Sequence, residues 1–179
     1  MKIDRILLIT PPAFTMKSWR DINPLPPMGL GYLASIAERL GIQVKILDCL
    51  VHGWDHEEDV NEHLIRVGLS NDEIQKRIID FKPDLIGVNC QFSRQYRIYH
   101  QIFSLIKKID PGIIVVAGGP HATFCPEEVL SDDNCDYLLS GEAEDSFREL
   151  IEALGNESKI ASIGGLGWKI DGKLHFNPN

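Results

Sequence analysis

Several features that would assign a class at once are scarce or missing in this chain. Its 179 residues include only four cysteines, and no two of them have the two-residue gap of a zinc knuckle or dithiol motif. We therefore expect free, mostly buried thiols of a cytoplasmic protein. No apolar run approaches the ~18 residues that a membrane span needs. Residues 1–10 predict a short strand, because no small-residue cleavage site of a signal peptide follows them.

Positive charge is also in short supply. Lys and Arg total 18 against 26 Asp and Glu, which gives a formal net charge of −8 at pH 7. Nucleic acids and anionic membranes attract basic faces, so the sequence argues against both partners. The acidity indicates solubility instead. An apolar fraction of 44% predicts a sizeable core, and the length fits one domain with a modest extension.

What the chain does have is a regular alternation of apolar strands with amphipathic helices. Strands that are apolar throughout are covered on both faces, which predicts a parallel sheet in a doubly wound, Rossmann-like α/β fold. Residues 12–27 and 49–69 lack clear periodicity and are interpreted as a long loop and as a loop with a short helix. The predicted strands are 3–10, 43–48, 85–89, 113–117 and 136–139, and the predicted helices are 28–40, 70–81, 95–109, 126–130 and 143–154.

The pattern changes after Gly155. Two short apolar runs, 164–170 and 173–176, flank Asp171 and Gly172. An Asp-Gly pair between such runs predicts a β-hairpin with a two-residue turn. We divide the chain into a domain of residues 1–155 and a hairpin connector of residues 156–179, which would lead onward to another element.

The strongest candidate for a binding site is Gly118 with Gly119, at the end of the fourth predicted strand. Bare glycines let the backbone touch a flat or phosphorylated ligand, and ligands of open parallel sheets bind at the carboxyl ends of the strands. His121 and Thr123 offer polar groups just beyond the glycines. Three further loops should meet at the same edge of the sheet: residues 11–27, 90–94 and 140–144.

Other motifs point to a function only weakly. Gly29 and Gly31 follow a long loop instead of the first strand, so they do not form the dinucleotide fingerprint. They serve either close packing of a helix on the sheet or the approach of a ligand. Asp48 fits a ribose contact or a turn residue. The histidines within residues 52–63 lie among acids, which favours a solvated acidic helix face over a metal site.

Five motifs along the chain, each unspecific alone, carry a resemblance when they are taken in order. They are residues 10–12 (TPP), 26–34 (PPMGLGYLA), 44–48 (VKILD), 118–123 (GGPHAT) and 136–144 (DYLLSGEAE). In this combination the chain resembles the cobalamin-binding domain of cobalamin-dependent radical S-adenosylmethionine enzymes over essentially its whole length. The hairpin resembles the connector that precedes the radical domain in that family.

The resemblance implies a five-stranded parallel sheet in flavodoxin-like order that binds cobalamin. It also implies a radical domain further along the intact chain, with a 4Fe-4S cluster and S-adenosylmethionine, and methyl transfer as the default reaction. The three-cysteine motif of that domain is absent here, so this module alone should be inactive. The loop 11–27 contains no histidine, which in this family goes with base-off cobalamin that has no histidine beneath the cobalt.

The resemblance also assigns roles to residues. Glycines would lie beneath the corrin ring, Ser93 would contact the nucleotide tail rather than cap the next helix, and His121 would not ligate cobalt. The lower cobalt face would be covered by Phe14, Met16 or Trp19. The full set of predicted cofactor-binding residues is Pro12, Phe14, Gly29, Gly31, Phe92, Ser93, Gly118, Gly119, His121, Thr123, Gly141 and Glu142.

Two other functions remain open at this point. The chain could be a scaffold or interaction domain that kept the fold and lost cobalamin. It could also be a flavodoxin-like nucleotide-binding protein, because a fold alone does not decide a function.

Overall fold

The computed structural model describes residues 2–18 and 22–178, and Trp19 lies outside them. The strands of the described chain are β1 (Arg5–Thr10), β2 (Ala13–Met16), β3 (Gln43–Asp48), β4 (Glu57–Asp59), β5 (Leu64–Val67), β6 (Leu85–Asn89), β7 (Ile114–Gly118), β8 (Tyr137–Leu139), β9 (Leu166–Ile170) and β10 (Lys173–Phe176). The helices are α1 (Met28–Arg39), α2 (Cys49–His52), α3 (Asn71–Phe81), α4 (Tyr96–Ile109), α5 (Pro120–Phe124), α6 (Pro126–Leu130), α7 (Glu144–Ala153) and α8 (Glu157–Ile160), and a 3₁₀ turn spans Ser93–Gln95.

Within these described residues, the frame of the molecule is a seven-stranded sheet in the order β10-β9-β8-β7-β6-β1-β3. The strands β3, β1, β6, β7 and β8 pair in parallel with one another. Counted along the chain, these parallel strands stand in the order 2-1-3-4-5, which confirms the flavodoxin-like fold predicted from the sequence. The order reverses between β1 and β6, so the topological switch point lies there.

Helices cover both faces of this sheet, as a doubly wound fold requires. Side chains of α3, α4 and α6 pack with Leu7 and Ile9 on one face. Side chains of α1, α7 and α8 pack with Ile6 and Leu8 on the other. Alternate residues of β1 therefore enter different cores, which explains why the strand is apolar throughout.

The C-terminal hairpin forms at the predicted place and extends the main sheet. Strand β9 pairs antiparallel with β8, and β10 pairs with β9. Asp171 and Gly172 both have positive φ, at 51° and 73°, as a type I′ turn requires. The predicted division of the chain at residue 155 remains a prediction. In the structure, β8 and β9 lie on either side of residue 155 and are hydrogen-bonded to each other in the main sheet.

A second, small antiparallel sheet corrects two sequence predictions. Strands β2, β5 and β4 pair in that order, so the predicted loop 12–27 contains a strand and Glu57–Asp59 is a strand rather than an acidic helix face. These strands are short, and their partners are distant in sequence, so local periodicity did not reveal them. Ala13, Ile65 and Val67 form their apolar contact.

Two local predictions, the capping box and the buried free thiols, are confirmed. Ser70 and Glu73 form the expected capping box at the start of α3. Cys49, Cys90 and Cys135 are free and buried, and burial raises the pKa of the Cys135 thiol to about 12. Over the described chain, no helix has the length and apolarity for a membrane crossing, and no cluster of three or more His, Cys, Asp or Glu could hold a metal.

Candidate functional site

A cavity of about 820 Å³ opens at the carboxyl ends of the parallel strands. Its wall includes the last residue of all five parallel strands, namely Thr10 of β1, Asp48 of β3, Asn89 of β6, Gly118 of β7 and Leu139 of β8. This is the sheet edge at which ligands of doubly wound folds bind, and the volume lies in the range of small-molecule sites. The cavity spans the switch point between β1 and β6.

The cavity brings together two-thirds of the predicted binding residues. The predicted residues that line it are Pro12, Gly29, Phe92, Gly118, Gly119, Thr123, Gly141 and Glu142. The prediction missed Gln95 and Asn89, and it did not include Thr10 or Asp48 in the site. Three of these four, Thr10, Asp48 and Asn89, could have been found, because the strand-end rule that selects Gly118 selects them as well.

The two central glycines differ in what they do. Gly118 has ordinary strand geometry, and a Cβ there would meet its nearest atom, the Leu139 carbonyl oxygen, at 3.7 Å. Gly119 has φ +97°, and a Cβ there would lie 2.7 Å from Asn89 Oδ1 and 3.0 Å from the Cys90 carbonyl oxygen. Gly118 therefore leaves free space at the cavity wall, whereas the backbone itself requires glycine at 119.

Thr123 ties the two glycine loops to each other. Its hydroxyl donates to the Gly119 carbonyl oxygen at 3.1 Å and accepts from the Gly141 N–H at 2.9 Å. A hydroxyl has one proton, and this one is already donated within the protein, so the Thr123 hydroxyl cannot donate to a ligand while both bonds are formed. We infer that Thr123 holds the loops in place at the cavity wall.

Gly29 and Gly31 are not needed for packing. A Cβ at either position would meet no described atom within 4 Å, which rules out close contact of the helix with the sheet as the reason for glycine there. Gly29 lines the cavity, so ligand approach remains a reason for it. Gly31 is exposed and does not line the cavity, so the structure does not bring it together with the other predicted residues.

Phe14 also lies elsewhere. Side chains alternate along β2, so Ala13 and Thr15 are buried while Phe14 and Met16 point to the opposite side. Phe14 borders a separate groove beside Arg66, and Ala13 lines the cavity in its place. The structure therefore does not bring Phe14 or Met16 to the cavity, and the prediction that either covers the lower cobalt face stays a prediction.

Ser93 and His121 contact each other outside the cavity lining. His121 is 4% exposed; its Nδ1 lies 3.1 Å from Ser93 Oγ and its Nε2 lies 3.0 Å from Glu128 Oε2. Both ring nitrogens thus have protein partners. The helix-cap alternative for Ser93 is wrong, because α4 begins at Tyr96 and its N-cap residue, Gln95, makes no side-chain cap bond.

Glu128 continues this network to His100. Its Oε1 lies 2.7 Å from His100 Nε2, and His100 Nδ1 lies 2.6 Å from Asp132 Oδ2. Burial alone would lower the pKa of His100, but the hydrogen bonds to Asp132 and Glu128 outweigh it and raise the pKa. Burial alone would raise the pKa of Asp132, but hydrogen bonds from Asn134 and His100 outweigh it and lower the pKa.

These shifts predict a pH-dependent contribution to stability. A raised histidine pKa stabilises the fold below about pH 6.5, and this contribution is lost as pH rises through the folded pKa. A lowered aspartate pKa stabilises above about pH 3.9 and is lost as pH falls. Because His100 is partly exposed, we expect His100→Gln to cost only about 1 kcal/mol or less. Urea unfolding of both proteins should show the largest difference between about pH 4 and 6.5. A difference independent of pH would contradict this.

Comparison with known proteins assigns the chain to a family. The model of the B12 binding domain matches residues 23–151. The chain belongs to the B12-binding domain family. Cytidylyl-2-hydroxyethylphosphonate methyltransferase of Streptomyces wedmorensis is 32% identical over 99% of this chain and 34% of its own length. An uncharacterized methyltransferase of Pyrococcus horikoshii is 35% identical over 99% of this chain and 35% of its own length. The chain thus spans about a third of these relatives.

Solved structures agree in fold. The radical S-adenosylmethionine methyltransferase TsrM from Kitasatospora setae, in a structure with cobalamin and a [4Fe-4S] cluster bound, has a TM-score of 0.70 to this chain. It is 20% identical, and the match covers 99% of this chain and 29% of TsrM.

The cavity of this B12-binding domain fits a large ligand with apolar surface and at least one polar group. Pro11, Pro12 and Ala13 give it apolar walls, and Gly118 leaves bare backbone. Thr10 Oγ1 is buried and, among the described side chains, is the one buried oxygen or nitrogen without a hydrogen-bond partner. Buried polar groups are almost always paired, so an unpaired hydroxyl beside a cavity indicates a missing ligand group.

Proposed function

We propose that the cavity binds cobalamin and that the chain is the cobalamin-binding module of a radical S-adenosylmethionine methyltransferase. The observation that carries this is a cavity of about 820 Å³ at the switch point of a B12-binding domain, with open space at Gly118. Bound cobalamin supplies a cobalt that accepts a methyl group and passes it on. The residues of this chain would hold the cobalamin in place and shield it from water.

We further propose that the cofactor is bound base-off without a protein ligand to cobalt. None of the described residues that line the cavity is His or Cys. His121 follows Gly118 and Gly119 in the sequence and is therefore the first histidine to consider as a cobalt ligand. Its two ring nitrogens, however, contact Ser93 and Glu128. The apolar residues Pro11, Pro12 and Ile22 are the wall groups that would exclude water from the cofactor.

The rest of the enzyme is inferred from the relatives. Both are named methyltransferases, and this chain covers about a third of each. The TsrM structure, which shares the fold, is a radical S-adenosylmethionine methyltransferase with cobalamin and a [4Fe-4S] cluster bound. On this basis we place a radical domain with a 4Fe-4S cluster and S-adenosylmethionine in the remaining length, following the connector that we assign to residues 156–179. Its substrate and reaction belong to that domain.

The test is retention of the cofactor. The purified chain is mixed with hydroxocobalamin in one sample and with FMN in another, and each is desalted. We expect a corrin absorption spectrum in the protein fraction of the first sample only. Retention of FMN alone would support a flavodoxin-like protein, and retention of neither would support a scaffold that has lost the cofactor.

Ser93 gives a prediction about the nucleotide tail. The loop after β6 borders the switch point, and its neighbours Phe92 and Arg94 line the cavity. Ser93 itself contacts His121 and is not part of the cavity lining, so we predict that its hydroxyl turns toward the bound tail. Ser93→Ala should then weaken cobalamin binding by about threefold to tenfold through the loss of that hydrogen bond. Binding of cobinamide, which has no tail, should not change.

The measurement is a calorimetric titration of both corrinoids, with Ser104→Ala on the distant face of α4 as the control. Equal losses for cobalamin and cobinamide would show that Ser93 does not contact the tail.

A further inference from the structure

The cavity contains a polar pair that the proposed cobalt chemistry does not use. Thr10 ends β1 and Asp48 ends β3, and the two residues are direct neighbours in the parallel register of these strands. Both line the cavity. A hydroxyl and a carboxylate thus stand side by side among the apolar side chains of this wall.

The first member of this pair, Thr10, has a hydroxyl without a hydrogen-bond partner among the described residues. Its Oγ1 is also buried. Leaving such a group unpaired is unfavourable, which a protein tolerates where a ligand supplies the partner. Because Oγ1 is buried in the ligand-free protein, a change of χ1 rotamer would bring the hydroxyl to a ligand group at the cavity wall.

Asp48 is the complementary acceptor. The residue is 8% exposed, and its Oδ1 accepts the Val51 N–H at 3.0 Å as the cap of α2. A carboxylate has two oxygens that together accept several hydrogen bonds, so this cap leaves acceptor capacity. A buried carboxylate requires donors, and a second anion beside it would be repelled.

We propose that Thr10 and Asp48 form a subsite for one primary carboxamide of the corrin periphery. The amide oxygen accepts from the Thr10 hydroxyl, and the amide N–H₂ donates to the Asp48 carboxylate. This inference rests on the proposed function and deepens it, because it makes the site selective for amidated corrinoids. A corrinoid with a free carboxylate at that position has no N–H to donate and brings a second negative charge.

The first test separates ligand binding from stability. Thr10→Val keeps the shape and removes the unpaired hydroxyl, so the melting temperature of the ligand-free protein should stay the same or rise. Affinity for cobinamide should fall by about threefold to tenfold, the value of one hydrogen bond. Thr123→Val is the matched contrast, because its hydroxyl has two protein partners and its loss should lower the melting temperature.

The second test reads selectivity. Asp48→Asn keeps the helix cap, since asparagine caps as well as aspartate. At pH 7 the separate monocarboxylic acid isomers of cobalamin, each with one hydrolysed propionamide or acetamide, are compared with cobalamin. We expect one isomer to bind the wild type about tenfold or more weakly, because buried like charges repel. That penalty should shrink in Asp48→Asn.

The outcomes distinguish this subsite from the proposed function. If the wild type retains no cobalamin, the proposed function fails. If the wild type binds cobalamin and Thr10→Val binds cobinamide equally well, the subsite is wrong. It is also wrong if every isomer binds like cobalamin, or if the penalty is unchanged in Asp48→Asn.

Discussion

Gly118→Val is expected to fold and to lose most of its affinity for cobalamin. The backbone at 118 has strand geometry that valine favours, and the nearest atom to a new Cβ is 3.7 Å away. The branched side chain would then occupy cavity space. Overpacking of about 1–3 kcal/mol corresponds to a loss of about fivefold to 150-fold in affinity.

Gly119→Val is expected to fail in a different way. Its φ of +97° is strained for any side chain, and a Cβ would lie 2.7 Å from Asn89 Oδ1. Strain and overpacking together should cost about 3 kcal/mol or more of unfolding free energy. Fold and cofactor binding should therefore be lost together.

Thermal unfolding and calorimetric titration of both variants separate these two outcomes. Gly31→Ala is the matched control, because a Cβ there would meet no described atom within 4 Å and the position is exposed on α1. It should leave affinity unchanged and stabilise α1 by about 0.5–1 kcal/mol. A Gly118→Val variant that binds cobalamin as tightly as the wild type would place the ring or tail elsewhere.

The pair of glycines shows what a sequence can and cannot predict. Their place at a strand end follows from local hydrophobicity and from the general rule for parallel sheets. The different requirements at 118 and 119 depend on one backbone angle and on the position of Asn89 in the neighbouring strand. Neither is encoded in a local pattern, so the sequence alone cannot distinguish a glycine whose replacement blocks the cavity from one whose replacement also strains the backbone.

Elements with local signals were predicted well. The capping box at Ser70 and the Asp171-Gly172 turn carry their own hydrogen bonds and dihedral preferences, and both formed as expected. The small sheet did not follow from the sequence, because Ala13–Met16 gains its partner only when Leu64–Val67 folds beside it. The same pairing decides which face of β2 borders the cavity, and hence why Phe14 lies outside it.

Long-range side-chain contacts were the hardest to predict. His121 was expected near the cofactor on the strength of its neighbours in sequence. In the structure Glu128, on the following helix, and Ser93, from another strand end, bind its two nitrogens. Gln95 carried no recognisable signal, although it holds β2 beside the cavity through Phe14, which is 81 positions away.

Gln95→Leu should produce a large loss of stability. The Gln95 Oε1 accepts the Phe14 N–H at 2.8 Å, and its Nε2 donates to the Phe14 carbonyl oxygen at 2.8 Å. The amide thus serves as the hydrogen-bonding edge of a neighbouring strand for β2, and the residue is 4% exposed. Leucine has a similar size but leaves both backbone groups of Phe14 unpaired. We expect a loss of about 2–4 kcal/mol in unfolding free energy, measured by urea denaturation.

The Gln95→Glu variant tests the same two bonds through pH. Its carboxylate can still accept from the Phe14 N–H, but it faces the Phe14 carbonyl oxygen without a proton to donate. Protonation restores that donor, so the folded state favours the neutral acid and the variant's stability should approach that of the wild type as pH falls. Gln101→Leu, at an exposed position of α4, should change stability by no more than about 0.5 kcal/mol. If Gln95→Leu unfolds at the same urea concentration as Gln101→Leu, β2 does not depend on this amide, and another contact must hold the first loop against the cavity.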